Sequence, residues 1–236
     1  AKDYAKHVAE RVEPWSYLKF PYLKEVGWNG FVDGVDSGVY CATPLSRLNA
    51  SDGMATPQAQ EHFERFYETL GSKKENGRYS PVHHRLATHW ARLVELLYAA
   101  ERMLELLEDP EITDPNVRQV VTTTPTEGVG SVEAPRGTLT HHYTTDENGI
   151  LTDVNLIVGT TNNNAPIAMS IKKAAEGLIK GGEVNEGLLN TIEMAFRNYD
   201  PCMSCATHSL PGQMPLEVEI KDADGQLIET RSQYVD

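Results

Sequence analysis

A mainly α fold of the α+β type, a helical bundle carrying small β-hairpins, is what this sequence predicts. Three observations lead there. Leu86, Trp90, Leu93, Leu97, Ala100, Leu104 and Leu107 recur at spacings of three and four, the period of one helix face. Three further stretches, near 57–70, 166–179 and 185–198, have helix length, the first opened by Thr56-Pro57 and the second closed by Gly181-Gly182. Two turn-bounded stretches, 138–158 and 215–231, alternate polar and apolar as hairpins do.

Taken in order, residues 1–12 read as helix. Residues 14–56 read as irregular, because Pro14, Pro21, Gly27, Gly30, Gly34, Gly38 and Pro44 interrupt any long element. Short extended pieces are expected at 16–20, 30–33 and 37–42. Thr56 followed by Pro57 is a helix start, with Pro at the first helical position. That helix runs to Leu70 and turns Phe63, Phe66, Tyr67 and Leu70 to one side. The longest helix spans about His83 to Glu108 and stops at Asp109-Pro110; a helix of that length packs inside a bundle. Residues 128–137 are small and glycine-rich. Thr138–Thr144 and Leu151–Val158 form a hairpin around Asp146-Glu147-Asn148-Gly149. A polar stretch with Asn162, Asn163 and Asn164 leads into a helix from Pro166 to Ile179, ended by Gly181-Gly182. A helix over 185–198 follows, and the tail makes a hairpin around Asp222-Ala223-Asp224-Gly225.

The 236 residues are 40% hydrophobic, enough for a real core, and carry a net charge of −13. That charge argues against a nucleic acid or an anionic membrane as the main partner. No apolar run approaches the roughly 20 residues that span a bilayer. Three cysteines, an odd number, do not make a disulfide framework, so a cytoplasmic, reducing compartment is expected. The chain starts without Met and without a signal-peptide apolar region.

Chemistry concentrates in Asp200-Pro201-Cys202-Met203-Ser204-Cys205-Ala206-Thr207-His208, where two thiols, an imidazole and a carboxylate share one short segment. Thiolates take soft or borderline metals, and imidazole suits nickel, iron and zinc. One CxxC pair supplies half of a four-sulfur site. From the residues alone, a structural zinc site using Cys202, Cys205 and His208, with Cys41 as a possible fourth ligand, ranks first. Glu133-Ala134-Pro135-Arg136-Gly137 is the second constellation. Its arginine either pairs with a carboxylate structurally or polarises a ligand in a dry pocket. His83, His84 and His89 read as ordinary surface or core histidines, and His141-His142 alternate across a strand, so at most one faces a pocket.

Together these segments resemble nickel–iron hydrogenase large subunits. Asp200 to His208 matches the family's C-terminal signature, D-P-C-x-x-C-x-x-H. Glu133 to Leu139 and Val158-Gly159-Thr160-Thr161-Asn162-Asn163 match further motifs, and His89 to Leu93 and Tyr40 to Asn49 fit the family's texture. The resemblance spans nearly the whole chain and is strongest to the soluble, NAD-linked group and its deazaflavin- or disulfide-linked relatives.

The resemblance implies reversible H2 oxidation at a nickel–iron centre whose iron carries CO and two cyanides. It makes Cys202 a terminal nickel ligand and Cys205 a bridge between the metals. Arg136 lies over the open coordination site as proton acceptor or polarising group, with Asp200 fixing it by a salt bridge. Pro135, Arg136, Gly159 and Thr160 surround the cyanides. His208 and the Leu156 carbonyl hold a remote Mg2+. Implied partners are a small iron–sulfur subunit, diaphorase subunits with flavin, and a maturation endopeptidase. The family's first R-x-C-G-x-C pair is absent, which marks the chain as the C-terminal portion, 1–208, of a larger subunit. Residues 209–236 then form the extension removed on maturation. The alternatives are a zinc-stabilised structural domain and a non-catalytic hydrogenase-like subunit.

Overall fold

The computed structural model describes residues 1–207 and 216–233. About 38% of them are helical and 22% are in strands, a mixed α+β composition.

The first correction comes at the N-terminus. Only α1 (Tyr4–His7) is helical; β1 (Val8–Val12) follows and pairs antiparallel with β2 (Lys19–Leu23). β-branched Val8 and Val12 suit a strand, and the partner strand overrides the weak helical pattern. The second correction is α2 (Pro44–Ala50), which lies in the stretch expected to be irregular. Pro44 is not a breaker there. It occupies the first turn, and the Thr43 hydroxyl accepts from the Ser46 N–H at 3.3 Å.

α3 (Pro57–Thr69) begins where expected, but Thr56 does not cap it with its own side chain. Glu101, from the long helix α4 (Ala87–Glu108), does so instead. Its carboxylate accepts from the Gln58 and Ala59 N–H groups at 3.0 and 2.9 Å and from the Thr56 hydroxyl at 2.6 Å. A carboxylate at a helix N-terminus also meets the positive end of the helix dipole. These bonds, the Thr56 hydroxyl first, hold the Glu101 carboxyl below its ordinary range. The sign is that of a depressed carboxylate. The stabilisation is present above the unfolded-state value near ~4.3 and is lost as pH falls through the lower folded-state value. Thermal melts from pH 6 down to pH 3 should therefore show a smaller acid loss for Glu101→Gln than for the parent; identical acid losses would remove Glu101 as the cap.

Leu45, Leu48, Phe63, Phe66, Tyr67, Val82, Ala91 and Val94 form the main core where α2, α3 and α4 meet. Each large side chain buried there contributes about 1.5–3 kcal/mol. α4 is shorter at its start than expected, and a different stripe faces the core. Ala87, Thr88, Ala91 and Val94 are buried, whereas Leu86, Leu93, Leu104 and Leu107 are exposed. Small side chains allow close approach of α2 and α3, so the leucine stripe points the other way.

A short hairpin, β3 (Lys74–Glu75) and β4 (Arg78–Tyr79), precedes α4. The glycine-rich segment contributes a strand: β5 (Glu127–Ala134) pairs with β6 (Gly137–Thr145), which pairs with β7 (Leu151–Ile157). α5 (Asn164–Leu178) and α6 (Glu186–Arg197) pack on each other, and Asn185 caps α6 through the Leu188 N–H at 3.0 Å. α7 (Met203–Thr207) is a single turn in the cysteine segment. The tail hairpin is present as β8 (Leu216–Lys221) and β9 (Leu227–Gln233). Among the described residues, no helix is long and apolar enough to cross a membrane.

Candidate metal centre

Three chain segments converge on the candidate site: the tight β5–β6 turn at Pro135-Arg136, the loop from Val158 into α5, and the turn from α6 into α7. Each enters because of local sequence. Gly137 sits at φ 147° with its α-carbon against the carbonyls of Gly159 and Ala42, an approach only glycine permits. Asp200 adopts φ 50°, a left-handed conformation that aspartate tolerates, and turns the chain out of α6 into Pro201-Cys202.

The loop after β7 is a buried polar clamp. Thr160, Thr161, Asn162, Asn163 and Asn164 are all buried. Asn163, fully buried, accepts from the Ala42 N–H at 2.9 Å and donates to the Arg136 carbonyl at 2.8 Å. Asn162 accepts from the Tyr40 hydroxyl at 2.6 Å and donates to the Thr138 carbonyl at 2.7 Å. Burial, and then nearby Glu10, push the Tyr40 phenol well above its ordinary range, so it stays a neutral donor. The Thr160 hydroxyl accepts from the Cys202 N–H at 3.0 Å, tying the cysteine segment to this loop. Among the described residues, the Thr161 hydroxyl and the Asn164 side-chain oxygen are buried without a hydrogen-bond partner; such groups cost free energy unless something satisfies them.

Arg136 and Asp200 face each other. The Arg136 Nε donates to the Asp200 carbonyl at 2.7 Å and lies 3.3 Å from its carboxylate. Both side chains are a little under half exposed. Cys202 follows two residues after Asp200. Cys202 and Cys205 are joined as a disulfide, with α-carbons 5.3 Å apart. Cys202 sits just before α7 and Cys205 within it, which brings the two sulfurs together, and two-electron reduction of that bond with uptake of two protons yields a pair of thiols. The cysteine count predicts no disulfide framework, and this local bridge is the departure from it.

The remaining expectations divide. Pro135, Gly159 and Thr160 lie in the converging segments. Leu156 lies in β7 opposite His141, and His208 lies outside the described residues. Among the described residues Cys41 joins no cysteine–histidine cluster, and its sulfur accepts from an Arg85 N–H at 3.0 Å. Among the described residues, no group of three or more His, Cys, Asp or Glu could hold a metal on its own. An open cavity of about 610 Å³ between Leu70 and His84 is lined by none of the candidate residues. Arg47 falls within the Tyr40 to Asn49 stretch, but no motif gives it or Glu95 a role; their ion pair at 2.6 Å backs the β5–β6 turn, whose carbonyls Arg47 grips. Nothing in a single chain links an arginine at 47 to a turn at 135.

Comparison with known proteins agrees with the motifs. The model of the nickel-dependent hydrogenase family matches residues 36–208. An iron–sulfur subunit of the "F420-non-reducing hydrogenase" of Archaeoglobus profundus is 54% identical over 97% of this chain and 46% of its own length. The "NAD-reducing hydrogenase HoxS subunit beta" of Cupriavidus necator is 46% identical over 98% of this chain and 45% of its own. The crystal structure of an NAD+-reducing NiFe hydrogenase in the H2-reduced state superposes with a TM-score of 0.74 at 40% identity, over 87% of this chain and 42% of that one. The chain spans about half the length of these relatives. It belongs to the nickel-dependent hydrogenase family.

Proposed function

We propose that this chain is the C-terminal part of a nickel–iron hydrogenase catalytic subunit that oxidises H2 reversibly and passes the electrons toward NAD. The observation that carries the reading is that the Cys202–Cys205 sulfur pair begins two residues after Asp200, the partner of Arg136, on a segment anchored by Thr160.

The residues present fit half of a four-thiolate centre. Reduced, Cys202 and Cys205 are two soft anionic donors, the chemistry nickel and low-valent iron accept. The other two sulfurs belong to a segment outside this sequence. Pro135, Arg136, Gly159 and Thr160 would line the side that holds the iron's CO and cyanides, and the Thr161 hydroxyl, which has no hydrogen-bond partner among the described residues, is a donor in that same loop. When bound, the nickel–iron centre supplies the Lewis acidity that polarises H2 and the redox capacity that takes up its two electrons.

The chain's own residues do the rest. The Arg136 guanidinium, held by the Asp200 carbonyl and carboxylate, would present fixed N–H donors to the open site. With the centre bound, a Cys202 or Cys205 Sγ, as a thiolate, would be the base nearest the metals for the first of the two protons of H2, and the second would leave to solvent once the electrons have passed on. His208 and the Leu156 carbonyl would hold a Mg2+, and residues 209–236 would be the extension a maturation endopeptidase removes. A small iron–sulfur subunit, with flavin-bearing diaphorase subunits, completes the path to NAD in the cytoplasm.

Hydrogen-driven reduction of NAD+ and of a viologen dye by the complete complex tests this. Both reductions are expected. Dye reduction without NAD+ reduction would place the chain with its relatives named F420-non-reducing, a second reading that the 54% identity favours. Loss of both would overturn the catalytic reading.

A further inference from the structure

Three consecutive backbone carbonyls at the β5–β6 turn are each captured by a side chain from elsewhere. Arg47 Nη1 donates to the Ala134 carbonyl at 2.9 Å and its Nη2 to the Pro135 carbonyl at 3.1 Å. Asn163 Nδ2 donates to the Arg136 carbonyl at 2.8 Å. Arg47 is itself fixed: its Nε and Nη2 donate to the two carboxylate oxygens of Glu95, each at 2.6 Å, and both side chains are only about one-fifth exposed. A guanidinium offers five donors in a rigid plane, so one edge can grip a carboxylate while the other grips two carbonyls.

The same face of α4 holds the other half of the site. Arg92, one turn before Glu95, donates through Nη2 to the Asn198 carbonyl at 2.8 Å, two residues before Asp200. One helix thus sets the backbone on both sides of the Arg136–Asp200 contact.

We propose that Arg47, braced by Glu95, is the positioning residue that aims Arg136 at the reacting site. It touches neither substrate nor metal. It fixes the peptide planes of residues 134 and 135, and with Asn163 on the third carbonyl those planes set where the Arg136 side chain starts. This rests on the functional reading above and adds to it residues that neither the motifs nor the fold assign a role. Lysine at position 47 keeps the charge opposite Glu95 but, as a single point donor, cannot grip the carboxylate and two carbonyls together. Glu95→Gln leaves Arg47 in place and weakens its brace.

The test uses the complete hydrogenase complex carrying Arg47→Gln, Arg47→Lys or Glu95→Gln. Expected for Arg47→Gln is a kcat for H2 oxidation lower by about 10- to 100-fold, the scale of a small misplacement of a catalytic group. KM for H2 should stay within about twofold, nickel content should match the parent, and the infrared bands of the iron's CO and cyanides should shift or broaden. Arg47→Lys and Glu95→Gln should lie between the parent and Arg47→Gln. Crystal structures of the variants should show the 2.7 Å contact between Arg136 and Asp200 lengthened. Should Arg47→Gln fail to assemble, the two milder variants carry the same readouts. Nickel content, kcat, infrared bands and the Arg136–Asp200 contact all unchanged in the variants would overturn the proposal. A parent complex lacking nickel and turnover would instead overturn the functional reading, and the Arg136–Asp200 contact in the variant structures would still decide the positioning role.

Discussion

Cys202→Ser in the complete enzyme should strip out the nickel and lower hydrogen turnover by more than about 100-fold. A serine hydroxyl stays protonated at neutral pH and is a hard oxygen, a poor replacement for a soft thiolate. Loss of a hydrogen bond that merely orients a ligand costs metal sites about 10- to 100-fold, so loss of a ligand costs at least that. Cys205→Ser should behave alike. Cys41→Ser separates this from a zinc site built on all three cysteines, because Cys41 is engaged by Arg85 and not by the CxxC pair. Nickel content and turnover within about twofold of the parent are expected for Cys41→Ser. Metal analysis and H2-dependent dye reduction on the three variants decide it, and retention of nickel by Cys202→Ser would sink the ligand assignment.

The second large effect is on stability. Gly137→Ala adds a β-carbon at φ 147°, directly against the Gly159 carbonyl and 2.6 Å from the Ala42 carbonyl oxygen. Both obstacles are backbone, and the Asn163 clamp prevents either from moving alone. Left-handed strain costs about 1–3 kcal/mol and overpacking about the same, so a loss of about 2–5 kcal/mol is expected. For a chain of this size that lowers the thermal midpoint by roughly 5–15 °C. Gly30→Ala is the control. Its φ of 82° carries the same kind of strain, but a β-carbon there meets nothing within 4 Å. A melt in which Gly137→Ala costs no more than Gly30→Ala would show that the close approach is not what holds the three segments together.

The candidate site is more legible in the sequence than the fold around it. Asp200, Cys202, Cys205 and Arg136 announce themselves because their chemistry is local: thiols three apart, and a Pro-Arg-Gly turn. What the sequence hides depends on distant partners. Residues 8–12 are a strand only because β2 lies beside them, and residues 127–134 only because β6 does. Pro44 reads as a breaker until Thr43 is seen capping the turn it opens. The leucine stripe of α4 is periodic, as its spacing predicts, yet it is not the face turned inward. Periodicity does not say which of two apolar faces meets α2 and α3. The deepest gap is the support of the turn. Arg47 and Asn163 lie far from Arg136 in the chain and reach it only through folding.

The measurement that goes to the centre of the functional reading is metal content of the native complete subunit, purified under reducing, anaerobic conditions and paired with its intact mass. About one nickel and one iron per subunit, with the mass of a longer chain ending at His208, is the expected result. A chain that keeps residues 209–236 and holds zinc alone, or no metal, would contradict it.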